Sequence, residues 1–172
     1  NGSGLVPVTR ILHDIGIDDI TIVPEQQYPD GNFPTCPYPN PEIFEALRLG
    51  LELAEKQNAD LMLATDPDAD RVGIAVRCKN GSYELLSGNE VGVLLLDYII
   101  RAKKSTGTLP ENAGALSSIV STGMARAVCE ANGVHFEETF TGFKFLAEKK
   151  DKLENSGEGK VIFAYEESYG YM

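Results

Sequence analysis

The sequence predicts an α/β protein built from two consecutive three-layer α/β units with mainly parallel sheets. Short apolar runs of strand length alternate along the chain with longer amphipathic segments of helix length, as in βαβ units. This pattern restarts near residues 80–88, after a first series of such segments. The chain has 172 residues, which is enough for one large domain or two small ones, and its composition is that of an ordinary globular protein.

The first predicted domain, residues 1–82, combines two helices with several strands. The segment LVPVTRILHDIG has apolar residues at helical spacing and reaches Gly16, a suitable C-cap. ITIVP is predicted as a short strand, and residues 28–41 as an irregular, proline-rich loop. NPEIFEALRLGLELAEKQ is predicted as a helix with Asn40 as its N-cap. The continuously apolar DLMLAT is typical of a strand buried on both faces, and VGIAVRC and SYELL are predicted to pair across an Asn-Gly turn.

The second predicted domain, residues 83–172, repeats the alternation of helices and strands. Ser87 precedes the helical segment GNEVGVLLLDYIIRAKK, and Glu90 three residues later completes a capping box. ALSSIVS, TGMARAVCEANG, VHFEE, TGFKFLAEKKDKL and KVIFAYEE are then predicted as strand, helix, strand, helix and strand. This order favours right-handed connections between parallel strands.

Composition argues against several classes of partner. The 15 basic and 26 acidic residues give a net charge of −11, which disfavours nucleic acid and anionic membrane surfaces but allows small anionic substrates. No apolar run reaches the roughly 18 residues of a membrane span, and we expect no signal peptide. Cys36, Cys78 and Cys129 form no C-x-x-C pair, which favours reduced thiols and a cytoplasmic protein.

A cluster of carboxylates lies between two apolar runs in DLMLATDPDADRVGIAV. Asp66, Asp68 and Asp70 occupy alternate positions, and Arg71 follows directly. Alternate side chains of an extended loop can converge from one side on a hard divalent cation. Mg²⁺ accepts such carboxylates and leaves positions for a phosphate oxygen, which arginine can also bind. A solvated turn is the plain alternative, but the motif and its flanking strand together favour a Mg²⁺ site.

Two other carboxylate sites can be compared with this loop. An EF-hand loop that began at Asp66 would need glycine at its sixth position and glutamate at its twelfth, where Arg71 and Arg77 stand, so that site is excluded. An aspartyl-phosphate hydrolase would use Asp66 as its nucleophile in a D-x-D motif followed by Thr or Val. Asp70 stands at that position, which weakens this alternative and leaves it open.

Polar residues also follow strands in the second half. STGMAR and TGFK place Thr-Gly at a predicted helix start, where free backbone N–H groups favour anions. Lys144 lies in the first turn of its helix and is either a solvated surface lysine or a phosphate contact. In FAYEESYG, Glu166 and Ser168 are predicted to share one face, which suits sugar hydroxyls, whereas Glu167 points to the other face. A helix start capped by Ser168 is the alternative.

Taken together, DPDADR, GNEVG, TGFK and EESYG, in this order and at these separations, resemble the α-D-phosphohexomutase family of phosphoglucomutases and phosphomannomutases. DGNFP, PNPE and the initial NGSG fit the same resemblance, which covers essentially the whole chain and is closest to the phosphoglucomutase/phosphopentomutase branch. It implies most of the second and much of the third of four domains around one cleft. The implied site residues are the Mg²⁺ ligands Asp66, Asp68 and Asp70, the active-site residues Arg71 and Lys144, and the substrate-binding residues Glu166, Ser168 and Lys144.

The resemblance also implies a reaction. A phosphoserine in the first domain donates phosphate to a sugar phosphate, and the bisphosphate then returns its other phosphate to the serine. Phosphate thus moves between O1 and O6 of a hexose, and the expected partners are glucose 1-phosphate, glucose 6-phosphate and the 1,6-bisphosphate. We expect the nucleophilic serine, the fourth domain, the opening strand of the second domain and the last helix of the third to lie outside this chain, which would then be inactive alone. A non-catalytic sugar-phosphate-binding module is the remaining alternative.

Overall fold

The computed structural model describes residues 1–172, which divide into two compact units, Asn1–Leu86 and Ser87–Met172. The first unit contains helices α1 (Leu5–Asp14) and α2 (Phe44–Gln57) and strands β1 (Leu61–Thr65), β2 (Val72–Arg77) and β3 (Tyr83–Leu86). The second unit contains α3 (Gly88–Ser105), β4 (Ala113–Ser118), α4 (Met124–Asn132), β5 (His135–Thr139), α5 (Phe143–Ser156), β6 (Lys160–Glu166) and β7 (Gly170–Tyr171). The predicted α/β class is confirmed. None of the helices combines the length and apolar character that a membrane-spanning segment needs.

The sheet of the first unit is antiparallel, with the strand order β1-β2-β3. The prediction of a mainly parallel sheet is therefore wrong for this unit. Residues 66–71 alone connect β1 to β2, whereas a parallel pair needs a crossover of about a dozen residues or more. The predicted Asn-Gly hairpin between β2 and β3 is confirmed, with Gly81 at a φ of 87°.

One face of this sheet is covered by α2. Leu47, Leu51 and Ala54 of α2 form a buried cluster with Met62 of β1 and Ala75 of β2. Strand β1 alternates: Met62 is 8% exposed, whereas its neighbours, two leucines, are 47% and 36% exposed. The prediction that β1 is buried on both faces is wrong, because α2 packs against one side only.

Two local predictions in the first unit also differ from the structure. Asn40 does not cap α2; its side chain accepts a hydrogen bond from the Glu42 backbone N–H at 3.0 Å and closes a separate turn. Ile43 is extended, with φ −98° and ψ 120°, so the helix begins at Phe44. The segment ITIVP (20–24) is not a strand, since it pairs with no neighbour in the sheet. An isolated extended segment has no ladder hydrogen bonds to stabilise it.

The second unit has the predicted three layers and a mainly parallel sheet of order β5-β4-β6-β7. Strand β4 is parallel to both neighbours, and the short β7 is antiparallel to β6. Helices α3 and α4 pack on one face through Leu96, Ile100 and Cys129. Helix α5 packs on the other face through Leu146 and Leu153. Every residue of β4 is buried, as expected for a central parallel strand.

Helix α3 begins with the predicted capping box between Ser87 and Glu90, which is confirmed. One turn later, Gly92 lies directly against the ring of Tyr165, a fully buried residue of β6. A methyl group at Gly92 would overlap that ring. The absence of a side chain at this position therefore sets how closely α3 approaches the sheet.

We expect Gly92→Ala to lower the free energy of unfolding by about 1 kcal/mol or more, because overpacking a tight core costs roughly 1–3 kcal/mol and outweighs the gain in helix propensity. Gly123→Ala is the matched control, since Gly123 has a φ of −64° and no atom within 4 Å of the added methyl group. That control should be neutral or stabilising by up to about 1 kcal/mol. Urea unfolding followed by circular dichroism measures both, and equal effects of the two variants would contradict the packing.

Candidate functional site

The DPDADR segment forms a tight turn between β1 and β2. The Ala69 N–H donates to the Asp66 carbonyl at 3.1 Å, which closes a four-residue β-turn with Pro67 at its second position. Proline favours that position because its ring fixes φ near the value that the turn requires. Ala69 has a φ of 61°, a left-handed conformation that costs a non-glycine residue about 1–2 kcal/mol. The turn brings the alternating aspartates to one place.

The three predicted metal ligands converge. One carboxylate oxygen from each of Asp66, Asp68 and Asp70 lies within 4.8 Å of the other two. Oxygens around an octahedral Mg²⁺ at about 2.1 Å are roughly 3–4 Å apart, so small side-chain rotations bring this set to ligating distance. Asp66 is 3% exposed, whereas the other two carboxylates are exposed. The donor set is all oxygen and open on one side, which fits Mg²⁺.

Arg71 holds Asp66 in place. Its backbone N–H and its Nε each donate to a different carboxylate oxygen of Asp66, both at 3.1 Å. The Arg71 guanidinium also lies 3.6 Å from Glu42 and 3.9 Å from Asp70. Each carboxylate oxygen of Asp66 retains a second lone pair that can bind a cation. Arg71 thus orients the buried ligand and carries positive charge at the edge of the cluster.

The close carboxylates shift each other's pKa. Burial acts to raise the pKa of Asp66, but hydrogen bonds from the Arg71 backbone, Asp70 and the Arg71 guanidinium together hold it below its ordinary value. The pKa of Asp70 is raised, chiefly by its hydrogen bond with Asp66 and then by burial and the neighbouring negative charges. Of the two, Asp70 therefore keeps its proton to higher pH when no cation is bound.

The first residues of the chain support this turn. The backbone N–H and the hydroxyl of Ser3 both donate to the Pro67 carbonyl, at 2.9 and 3.1 Å. A methyl group on Gly2 would stand 2.5 Å from the same carbonyl oxygen, and Gly4 lies directly against Thr65. The sequence predicted NGSG only as the approach to a helix. Its two glycines were the available signal, since Gly2 approaches the Pro67 backbone and Gly4 approaches the Thr65 side chain.

In the second unit, EESYG forms the connection between β6 and β7. Glu166 pairs with Gly170 at the end of the two strands, and Tyr169 has a φ of 66°. A left-handed residue at the last position is typical of a three-residue hairpin loop. The alternative of a helix start at Ser168 is wrong, because the chain turns back into β7 here.

The predicted substrate-binding residues of this unit differ in environment. Glu166 is 7% exposed, and its Oε1 accepts a hydrogen bond from the Gly142 backbone N–H in the TGFK turn. Its Oε2 and the hydroxyl of half-buried Ser168 make no hydrogen bond within the chain, so both can meet a ligand. Lys144 is exposed, forms no ion pair, and places its Nζ 4.9 Å from the centre of the Phe145 ring.

The GNEVG segment packs against the EESYG loop. This contact was not predicted from the sequence. Gly88 lies against the Glu167 carbonyl and the Tyr169 backbone nitrogen, and an added methyl group there would overlap them. The next residue, Asn89, accepts a hydrogen bond from the Thr122 N–H at 2.8 Å in the turn after β4. Two glycines four residues apart on one helix were the signal for this close approach.

Sequence profiles of known families match both units. The profile described as phosphoglucomutase/phosphomannomutase, alpha/beta/alpha domain II, matches residues 1–81, and the domain III profile of the same family matches residues 87–172. A phosphoribomutase of Saccharomyces cerevisiae is 42% identical over 90% of the chain, and a phosphoglucomutase of Staphylococcus aureus is 37% identical over all of it. The chain spans 25% and 30% of the lengths of these two relatives.

Solved structures share the fold. A phosphoglucomutase/phosphomannomutase family protein from Burkholderia thailandensis superposes with a TM-score of 0.73 at 20% identity, over 99% of this chain and 32% of the other. An N-acetylphosphoglucosamine mutase from Aspergillus fumigatus, solved in complex with GlcNAc-6P and magnesium, gives a TM-score of 0.51 at 16% identity over 71% of this chain and 26% of its own. The two profiles together cover nearly every residue, and the chain therefore belongs to the phosphoglucomutase/phosphomannomutase family.

Proposed function

We propose that this chain supplies the metal-binding and sugar-binding parts of a phosphohexomutase of the phosphoglucomutase type, which moves phosphate between O1 and O6 of a hexose. The observation that carries the proposal is the convergence of the Asp66, Asp68 and Asp70 carboxylates within 4.8 Å on a turn held by Arg71. The first proposed domain, residues 1–82, carries this metal loop (residues 66–71), and the second, residues 83–172, carries the sugar loop (residues 166–170). The substrates are glucose 1-phosphate and glucose 6-phosphate, with the 1,6-bisphosphate as intermediate.

Asp66, Asp68 and Asp70 are the proposed Mg²⁺ ligands. Bound there, Mg²⁺ would neutralise the negative charge that develops during phosphoryl transfer. Arg71 keeps Asp66 ionised and oriented, and its partly exposed guanidinium is available to an incoming phosphate. The Aspergillus fumigatus mutase was solved in complex with magnesium, which supports this assignment by analogy.

Glu166, Ser168 and Lys144 are the proposed substrate contacts. The free Oε2 of Glu166 accepts a hydrogen bond from a sugar hydroxyl, and the Ser168 hydroxyl can donate or accept one. Such a pair can hold a sugar in either of two orientations. A mutase needs both orientations, because first one phosphate and then the other must reach the nucleophilic serine, which we expect to lie outside this chain. The unpaired ammonium of Lys144 provides a positive charge for phosphate.

An aspartyl-phosphate hydrolase fits less well. Its nucleophile would be Asp66, but that side chain is almost fully buried and both of its oxygens accept hydrogen bonds from Arg71. An in-line attack on phosphorus needs an exposed oxygen with an open approach. A ligand role leaves these hydrogen bonds intact, so we assign Asp66 to the metal.

We also propose a cytoplasmic location. Cys36, Cys78 and Cys129 are all free thiols, and two of them are buried. Proteins of oxidising compartments more often pair their cysteines.

The metal assignment can be tested by calorimetric titration of the chain with Mg²⁺. Asp68→Asn should weaken binding by about tenfold or more, because changes around a metal site typically cost 10–100-fold in affinity. Asp19→Asn is the matched control, since Asp19 is also exposed in the first unit and its carboxylate forms no hydrogen bond or ion pair. Equal affinities of the Asp68→Asn variant and the control would contradict the proposed site.

The purified 172-residue chain alone should not interconvert glucose 1-phosphate and glucose 6-phosphate. The chain matches the domain II and domain III profiles, and we propose that the phosphoserine lies in another domain of the whole protein. A coupled assay for glucose 6-phosphate measures turnover, with the Staphylococcus aureus phosphoglucomutase as the positive control. Turnover by the chain, in a preparation free of host mutase, would contradict the proposal that the chain alone is inactive.

A further inference from the structure

We propose that Glu167 is a positioning residue that fixes the sugar loop, residues 166–170, against the end of β4. This inference rests on the proposed sugar-binding role of Glu166 and Ser168. Glu167 itself is not expected to touch the sugar, because its carboxylate is engaged inside the second unit.

The carboxylate of Glu167 bonds to two serines at the C-terminal end of β4. Its Oε2 accepts from the Ser118 hydroxyl at 2.7 Å and from the Ser121 hydroxyl at 3.2 Å. The two hydroxyl oxygens are themselves 2.8 Å apart. Ser118 is fully buried, and Ser121 is half-buried. The two hydroxyls have two hydrogens for three contacts, so Ser118 donates to Glu167, and Ser121 donates either to Glu167 or to Ser118.

The residues on either side of Glu167 explain why this contact matters. Glu166 accepts from the Gly142 N–H, in the turn after β5, whereas Glu167 binds the turn after β4. Two successive glutamates thus tie one loop to two strand ends. Ser168 follows directly and has no hydrogen bond of its own, so its position depends on the anchoring of its neighbours.

The backbone of the same loop is held as well. Gly88 of α3 leaves just enough room for the Glu167 carbonyl and the Tyr169 nitrogen. Tyr169 adopts a left-handed conformation that a tyrosine rarely takes, so surrounding contacts must maintain it. The partly buried hydrogen bonds of Glu167, two residues before Tyr169, are polar contacts in position to contribute to this. Loss of the carboxylate should therefore release the loop without unfolding the unit.

The test uses Glu167→Ala and Glu167→Gln in the 172-residue chain, with Glu158→Ala as control. Glu158 is exposed, and its carboxylate has no hydrogen bond or ion pair. We expect Glu167→Ala to speed hydrogen exchange of the amides of residues 166–170 by about tenfold or more, with the amides of β4 and the urea midpoint close to wild type. Glu167→Gln keeps the shape and one acceptor oxygen, so its effect should be intermediate.

Calorimetric binding of glucose 1,6-bisphosphate is the second readout. Glu167→Ala should weaken it by about tenfold or more, because displacement of a contact residue by about 1 Å has large effects. The same change made in a Ser118→Ala, Ser121→Ala background should have little further effect, since the partners are already lost.

Unchanged exchange in residues 166–170 of Glu167→Ala would overturn the inference. So would an equal acceleration of all amides of the second unit, because that result indicates general stabilisation instead of positioning. Failure of the wild-type chain to bind glucose 1,6-bisphosphate would contradict the proposed sugar-binding function. In that case the exchange measurement still decides whether Glu167 fixes the loop.

Discussion

The buried carboxylate of Asp66, held by Arg71, is the interaction on which the candidate metal site depends. Two hydrogen bonds to this charged group, each contributing about 1.5 kcal/mol given the partial exposure of Arg71, offset the cost of burying it. They also fix one ligand before any cation arrives. The exposed Asp68 and Asp70 are free to rotate, so the site has a rigid side and an adaptable one. The electrostatic contact that stabilises the turn thus also orients Asp66 as a proposed Mg²⁺ ligand.

The second unit also has a loop whose backbone is held by side-chain contacts, although its proposed ligand is a sugar and not a metal ion. Each unit presents a short loop at the end of a strand, and each loop contains a non-glycine residue with positive φ, Ala69 in one and Tyr169 in the other. Such residues are retained only where other contacts hold the backbone. Ser3 and Arg71 do this for the metal loop, and Glu167 with Gly88 does it for the sugar loop. Backbone strain and proposed ligand sites therefore coincide.

Prediction from sequence succeeded where the signal is local. The alternation of elements indicated the three-layer second unit, and the S-x-x-E spacing indicated the capping box at Ser87. The spacing of the aspartates was enough to place them together. It failed where tertiary contacts decide: a continuously apolar β1 is half exposed because a helix covers one face only, and ITIVP lacks a strand partner. The role of Glu167 was missed because its serine partners lie 46 and 49 residues away in the chain.

We propose that Asp66, Asp68 and Asp70 together bind one divalent cation. Mn²⁺ favours the same carboxylate ligands as Mg²⁺ and scatters X-rays anomalously, so crystals of the chain grown with Mn²⁺ locate the ion directly. We predict one anomalous peak bonded to carboxylate oxygens of all three aspartates, with the Asp66–Arg71 hydrogen bonds intact. A well-ordered loop with no peak at its aspartates, under Mn²⁺ concentrations that saturate binding in solution, would contradict it.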